Sequence, residues 1–369
     1  MKKYILGFTF ILINQFSFSQ IYEFQIVKDI EANPVVSQDN TGTCWSFSTT
    51  SFLEAEIIRL TGKHIDISEM YSVRNTYPKK AYNYVLRQGK AQFGEGGLAH
   101  DVIASATEFG IVPQTAYSGK LSETTTYNHT EMTAILESML KTYVDNPAKK
   151  LSPQWKEAIN AVLDVYMGKN PEQFIYEGKN YTPKTFLEFS KIKTQDYVTI
   201  SSFTNVALYK PFLLAIPDNF SNGSFYNLPL DEYVANIDNA IENGYTLALD
   251  CDVSENSFSG KAGLAVVADN ESDAKLILSE IKLEKNISAE YRQQEFENLD
   301  TQDDHLMHIV GTVKDQNGKI YYKVKNSWGT KSGKEGFVYM SLSYLKLKSI
   351  SVLLHKDGLL KKTKTNLGI

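Results

Sequence analysis

The two cysteines of the 369-residue chain are its strongest candidate nucleophiles, and they lie in different settings. Cys44 opens a segment in which Leu53, Ile57 and Leu60 recur at helical spacing, so it lies at a predicted helix N-terminus. The positive end of a helix favours a thiolate, which is the nucleophilic form of a thiol whose ordinary pKa is about 8.5. Cys251 instead falls on the apolar face of a predicted strand, where a cysteine acts as a small buried hydrophobe. The sequence therefore favours Cys44 as the nucleophile.

A thiol nucleophile needs a base, and two of the six histidines lie on one predicted strand. His305 and His308 point to opposite faces of the strand spanning 305–313, so at most one of them can address a given cleft. A second strand over 320–326 follows the turn-forming residues and predicts an antiparallel hairpin. Asn326 is the last residue of this second strand.

The hairpin register discriminates between the two histidines. With an even-sized loop, directly opposed positions have opposite parity, so His305 shares a face with Asn326 and His308 does not. A two-residue turn at Asn317-Gly318 would pair Asn326 with a residue four positions away from His305. The loop must therefore be longer, for example Lys314 to Asn317. An odd-sized loop or a bulge would reverse this parity. We predict His305 as the base, and His308 remains the alternative.

The other histidines have weaker claims to chemistry. His64, His129 and His355 lie in polar or terminal segments, and we predict surface positions for them. No His-x-x-x-His or paired-cysteine spacing occurs, so the sequence predicts no metal site and no cofactor, and metal-dependent hydrolysis is a distant alternative.

The elements that must position these residues predict an α+β chain. Helical periodicity dominates the first half, including the segment from Leu98 to Phe109, and period-two strands dominate the second half. Between about 127 and 226 the pattern is first helical and then broken by prolines, which predicts a folded, mainly helical insertion rather than a linker. The domain would span 21–369.

Charge and the first residues restrict the partners and location. The net charge of −5 and the absence of a long basic run argue against nucleic acid as a partner. Lys2-Lys3, an apolar run from Tyr4 to Ile13 and small polar residues up to Gln20 predict a signal peptide over 1–20. We therefore expect an exported protein, periplasmic or extracellular, with no membrane anchor.

Two local motifs resemble those of papain-like cysteine peptidases. The first is Gln38 followed by Thr-Gly-Thr-Cys-Trp-Ser-Phe-Ser around Cys44, and the second joins Asp-His-Leu-Met-His at His305 to Lys-Asn-Ser-Trp-Gly around Asn326. The resemblance implies a papain-like fold in which Cys44 attacks, His305 is the base, Asn326 orients the base and Gln38 donates to the oxyanion.

The same resemblance assigns three further residues to the cleft. It implies that Trp328 shields the orienting amide, and that Gly96 and Gly97 let the substrate backbone approach. The alternative for this glycine pair is a simple helix-entry turn. His305 is also followed at the family's spacing by the small residue Gly311, whereas His308 is not.

Two departures from the papain pattern point to the bleomycin hydrolase and aminopeptidase C branch. Thr41 stands where papain-type sequences have a cysteine, and His305 lies 261 positions after Cys44, against roughly 130–150 in that signature. Segments similar to this branch are Leu163–Gly168, Thr182–Phe186 and Asp250–Val253. The branch implies a cytosolic homohexamer that removes single residues from peptide N-termini.

The C-terminal segment leaves the reaction type open at the sequence level. In that branch a C-terminal arm enters the cleft and its carboxylate selects free amino termini, but Lys361–Ile369 is not obviously similar to such an arm. The predicted function is therefore a cysteine peptidase, with aminopeptidase action as the main hypothesis. An exported endopeptidase of the same fold and a non-catalytic peptide-binding protein are the alternatives.

Overall fold

A computed structural model describes residues 21–122, 126–148 and 150–369, so the predicted signal peptide lies outside the described residues. The helices are α1 (Cys44–Thr61), α2 (Glu69–Leu86), α3 (Ala99–Phe109), α4 (Thr130–Val144), α5 (Trp155–Met167), α6 (Pro183–Ser190), α7 (Leu230–Glu242), α8 (Ala289–Glu297), α9 (Leu342–Lys348) and α10 (Lys361–Leu367). The strands are β1 (Phe24–Asp29), β2 (Phe174–Tyr176), β3 (Lys179–Tyr181), β4 (Tyr197–Ser201), β5 (Pro211–Leu213), β6 (Ser224–Asn227), β7 (Leu247–Cys251), β8 (Phe258–Ser259), β9 (Leu264–Ala265), β10 (His305–Asp315), β11 (Ile320–Lys325), β12 (Phe337–Ser341) and β13 (Ser349–His355). This is the predicted α+β arrangement.

One eleven-stranded sheet organises the second half of the chain. Its strand order is β5-β6-β4-β13-β7-β10-β11-β12-β9-β8, and β1 pairs with β10 outside this path. Helices α1 to α6 pack on one side of the central strands, and α7 and α9 pack on the other. The central strand β7 is therefore buried on both faces, which is why Asp250 is buried as fully as Cys251.

Helix α1 carries the candidate nucleophile and runs through the core. It begins at Cys44 as predicted, and Gly62 ends it in the left-handed conformation, with φ 68° and its N–H bonded to the carbonyl of Ile58. The helix is buried around its circumference, so its hydroxyls need partners. Ser46 donates to the carbonyl of Glu69, and Ser48 donates to the carbonyl of Met307 in β10.

The β10–β11 hairpin has two departures from the predicted register, and they cancel. Five residues, an odd number, lie between the paired residues Lys314 and Ile320, and a bulge at Val310 shifts the ladder so that His308 pairs with Lys325. Each change alone would have put Asn326 on the face of His308. Together they leave Asn326 on the face of His305, so the predicted parity is correct although both of its assumptions fail.

Two of the histidines predicted at the surface are buried. His129, which precedes α4, contacts the hydroxyl of Tyr77 through Nδ1 at 3.3 Å, and burial lowers its pKa to about 4. His355 ends β13 and packs between the rings of Tyr197 and Tyr245. Aromatic side chains distant in sequence cover both imidazoles, and the polarity of the local sequence does not reveal that burial. His64 is exposed, as predicted.

The C-terminal helix α10 packs on α7. The side-chain amide of Asn236 donates to Thr363, whose hydroxyl donates to Glu232. Between α3 and α7 the described residues form α4 to α6 and five short strands, and β2 and β3 lie between α5 and α6. The sequence pattern indicated two helices followed by a stretch broken by prolines, and it gave no strands there. Across the part of the chain that the structure describes, no helix has the length and apolarity required to cross a bilayer.

Candidate active site

The structure joins His305 to Asn326 by a direct hydrogen bond. The imidazole Nε2 lies 2.8 Å from the side-chain oxygen of Asn326, and the N–H of Ser327 donates to the same oxygen at 2.8 Å. Because an amide oxygen only accepts, Nε2 must carry a proton, and Nδ1 of the neutral ring is then left as an acceptor. The contact fixes both the orientation and the tautomer that a general base requires.

His308 lies on the opposite face and contacts α1. Its Nδ1 is 2.9 Å from the hydroxyl of Ser51, and its ring packs edge-on against Phe52. Burial and the neighbouring Lys325 ammonium lower the pKa of His308 well below its ordinary value. The geometry therefore supports a structural role for His308.

Trp328 covers His305. The ring centroids lie 4.8 Å apart at an interplanar angle of 32°, and 38% of the tryptophan remains exposed. The six-membered ring of the indole packs against Gly260, where an added methyl group would overlap it. The indole thus shields the imidazole and its bond to Asn326 from solvent on one side, while its outer surface faces the solvent.

Gln38 is held at both ends of its side-chain amide. Its nitrogen donates to the carbonyl of Thr41 at 2.6 Å, and its oxygen accepts from the hydroxyl of Ser327 at 2.6 Å. The nitrogen carries a second hydrogen that remains for an oxyanion. Sequence reasoning did not assign Ser327 a role, although its place beside Asn326 in the Asn-Ser-Trp-Gly run was a signal. Ser327 joins the amide of Gln38 to the segment that holds His305.

Cys44 lies beside Leu306, the residue that follows His305. The backbone of Leu306 hydrogen-bonds to the thiol, and neither cysteine forms a disulfide. No side chain caps the start of α1, and the N–H groups of Ser46 and Phe47 donate to the carbonyl of Thr43. The N–H groups of Cys44 and Trp45 are therefore the helix N-terminal donors nearest the thiol in sequence. These amides and Gln38 are candidate donors to an oxyanion.

Burial disfavours the charged forms of both candidate catalytic groups. Burial raises the pKa of the Cys44 thiol to about 12, opposite to the direction expected from its helix position. Burial also lowers the pKa of His305 to about 4, although its bond to Asn326 opposes this. Transfer of the thiol proton to the imidazole would create a thiolate and an imidazolium, whose attraction in a buried site would offset part of the desolvation cost.

Gly97 lies against Trp45, the residue that follows Cys44. A methyl group at Gly97 would approach the indole of Trp45 to 3.0 Å, and the indole N–H donates to the carbonyl of Glu95 at 2.9 Å. Glu95 also accepts from the N–H of Gly42 at 2.6 Å. Gly97 is therefore held against the residue that follows the nucleophile, and Gly96 lies against the carboxylate of Asp218. No group of three or more metal-ligating side chains occurs within residues 21–122, 126–148 and 150–369.

Comparison with known proteins identifies the family. A sequence model of the Peptidase C1-like family matches residues 11–368. The chain belongs to this family. Aminopeptidase G of Lactobacillus delbrueckii subsp. lactis is 23% identical over 375 residues, covering 90% of this chain and 83% of that protein. Bleomycin hydrolase of Rattus norvegicus is 25% identical over 370 residues, covering 86% of this chain and 79% of that protein.

A solved structure supports the fold. PepW of Lactobacillus rhamnosis superposes with a TM-score of 0.73 at 18% identity, covering 93% of this chain and 84% of that one. Membership of the Peptidase C1-like family confirms the resemblance to papain-like cysteine peptidases, and the relatives include those of the predicted branch. The α+β fold prediction is also confirmed.

Proposed function

We propose that this member of the Peptidase C1-like family is a cysteine aminopeptidase that uses Cys44, His305, Asn326 and Gln38. The observation that carries the proposal is the bond from His305 Nε2 to Asn326, which leaves Nδ1 as an acceptor on the residue next to the thiol's backbone partner, Leu306. Several relatives have names that describe aminopeptidases.

The reaction would proceed by acyl transfer. The sulfur of Cys44 bonds to the substrate carbonyl carbon while its proton moves to Nδ1 of His305. The amides at the start of α1 and the free hydrogen of Gln38 stabilise the oxyanion. His305 then protonates the leaving amine, and the C–N bond breaks to leave a thioester. Water attacks the thioester, gives a proton to His305 and releases the carboxylic acid, and the proton returns to the sulfur.

An endopeptidase remains a second candidate because of where α10 lies. Its hydrogen bonds with Asn236 and Glu232 place it against α7, and among the described residues it makes no hydrogen bond to the candidate active site. We therefore expect the choice between free and blocked amino termini to depend on residues in the body of the domain.

The test compares matched peptides with free and acetylated N-termini, using wild-type protein and a Cys44→Ala variant. We expect the wild type to hydrolyse the free-amine peptide faster, and the variant to hydrolyse neither while keeping its melting temperature. Equal rates on both peptides would favour the endopeptidase. Hydrolysis by the variant at the wild-type rate would overturn the assignment of Cys44.

Location and assembly are part of the proposal. The charged pair Lys2-Lys3 and the apolar run to Ile13 support export to the periplasm or outside the cell. Fractionation of cells and N-terminal sequencing of the mature protein test this, and a cytoplasmic chain retaining Met1 would contradict it. The branch resemblance supports a homohexamer, which light scattering after size-exclusion chromatography can test.

A further inference from the structure

Three carboxylates from separate elements converge beside Cys44. Asp218 lies on the loop between β5 and β6, Asp250 lies in β7, and Asp303 lies two residues before His305. Burial is the main cause that raises the pKa of Cys44, and the charges of these same three carboxylates raise it further. All three are therefore close enough to influence the thiol.

Asp218 lies directly over the glycine pair. A methyl group added at Gly96 would overlap the carboxylate of Asp218, and the ammonium of Lys80 donates to the carbonyl of Gly96. Burial raises the pKa of Asp218, and the Lys80 charge opposes this shift. Asp218 thus places a carboxylate at the backbone expected to meet substrate, with Lys80 as its nearby cation.

Asp250 is a buried carboxylate without a donor. It is 2% exposed, and among the described residues no N–H or O–H group other than a protonated carboxyl reaches either of its oxygens. Its strand partner is Leu306, whose backbone contacts the Cys44 thiol. Its close neighbour is Asp303, and the two carboxyl groups can hydrogen-bond only when one is protonated.

Burying the neighbouring carboxyl groups of Asp250 and Asp303 costs free energy unless a cation binds to them. Burial raises the pKa of Asp250 well above its ordinary value and raises that of Asp303 to about 7. An unpaired buried carboxylate costs free energy, and charge-assisted donors remove that cost. The other charged groups acting on the cluster are Lys80, Asp101, Glu95 and Asp304, so carboxylates outnumber the cation.

We propose that Asp218, Asp250 and Asp303 form a pocket that binds an ammonium group of the peptide on the acyl side of the scissile bond. An ammonium carries a positive charge and three N–H donors. These donors match the oxygens of Asp250, which accept no N–H, and the partly buried carboxylates of Asp218 and Asp303. The group is either the peptide's α-ammonium or a lysine ε-ammonium. This inference rests on the proposed peptidase function and specifies its substrate.

The test measures kcat/KM for Asp303→Asn and Asp218→Asn on three fluorogenic amides: alanyl, N-acetylalanyl and N-acetyl-lysyl. We expect each variant to lose at least about tenfold more on substrates whose ammonium the pocket binds than on N-acetylalanyl amide, because only the former lose a charge-assisted bond. Loss on the alanyl amide identifies the α-ammonium, and loss on the N-acetyl-lysyl amide identifies the side chain. Equal losses on all three substrates, or none, would overturn the pocket.

Asp304→Asn is the matched control. It removes the same charge one residue along, but its carboxylate faces Asp252, Val253 and Ser254. We expect little change on any of the three amides. A loss equal to that of Asp303→Asn would assign the effect to long-range charge rather than to binding, and would overturn the proposal.

A binding measurement separates this inference from failure of the proposed function. Alaninamide or lysinamide should slow alkylation of Cys44 by iodoacetamide in the wild type, whereas N-acetylalaninamide should not. Mass mapping of the alkylated peptides distinguishes Cys44 from Cys251, which is fully buried. This assay uses only the wild-type protein and does not require catalytic turnover. Absence of protection by both ammonium compounds would overturn the pocket even if peptides are hydrolysed, and protection would support it even if they are not.

Discussion

Replacement of Asn326 perturbs the base without touching the nucleophile. In Asn326→Ala, the Nε2–H of His305 loses its 2.8 Å acceptor in a site that is largely shielded from water. A buried donor left without a partner costs about 1–3 kcal/mol, and the ring also loses the contact that selects its tautomer. We expect kcat/KM on an aminoacyl amide to fall about 10- to 100-fold, since 1.4 kcal/mol corresponds to about tenfold.

Asn326→Asp gives the same position a pH readout. Burial lowers the pKa of His305 to about 4, and the bond to Asn326 opposes that shift. A carboxylate in place of the amide stabilises the imidazolium more strongly and raises this pKa by about 1–3 units. Because the base must be neutral, the acid limb of the kcat/KM profile should move to higher pH.

The matched control is Asn236→Ala, which removes another buried, hydrogen-bonded asparagine from the contact between α7 and α10. It should lower the melting temperature without changing the acid limb. The reasoning is refuted if Asn326→Ala retains wild-type kcat/KM, or if the acid limb of Asn326→Asp stays in place or moves to lower pH.

Three further predictions follow from the buried groups. Gln38→Ala should lower kcat about 10²- to 10³-fold with a smaller change in KM, since one oxyanion donor is lost; an unchanged kcat would contradict that role. Cys251→Ala should retain kcat/KM and full inactivation by iodoacetamide, and should reduce only the unfolding free energy, by about 1 kcal/mol; loss of activity in the folded variant would contradict the assignment of Cys44. His129→Phe should gain stability relative to wild type by up to about 3 kcal/mol as pH falls from about 6.5 to 4. Burial lowers the pKa of His129 to about 4, so in that window the unfolded wild type binds a proton that the folded protein does not, and its free energy of unfolding falls. Chemical denaturation of both proteins at each pH measures this difference, and a difference that stays constant with pH would refute it.

Sequence periodicity predicted the elements whose signals are local. The helix from Cys44 and the strand carrying Cys251 form as their apolar periods predicted, but both are buried beyond the predicted apolar face, since α1 is buried around its circumference and β7 on both faces. The pairing of His305 with Asn326 was also predicted, but the parity held only because a five-residue loop and the bulge at Val310 compensate. Bulges depend on tertiary packing, so the sequence pattern does not encode this cancellation.

The electrostatics of the site depend on contacts that are distant in sequence. The helix position of Cys44 predicted a lowered pKa, but burial by the sheet and carboxylates from three elements raise it. Asp250 alternates with the apolar residues of β7, and only the packing of α1 against that face shows that it is buried without a donor. Asp218 lies in a loop with no motif, so no sequence signal could bring it to Gly96.

Stoichiometric alkylation tests the central claim, that Cys44 is the nucleophile, most directly. Protein treated with increasing amounts of iodoacetamide is assayed for peptide hydrolysis, and the modified residue is mapped by mass spectrometry. We predict that activity falls in proportion to modification of Cys44, with one group per chain at complete loss and Cys251 unmodified. Full activity in protein whose Cys44 is completely alkylated would contradict the mechanism.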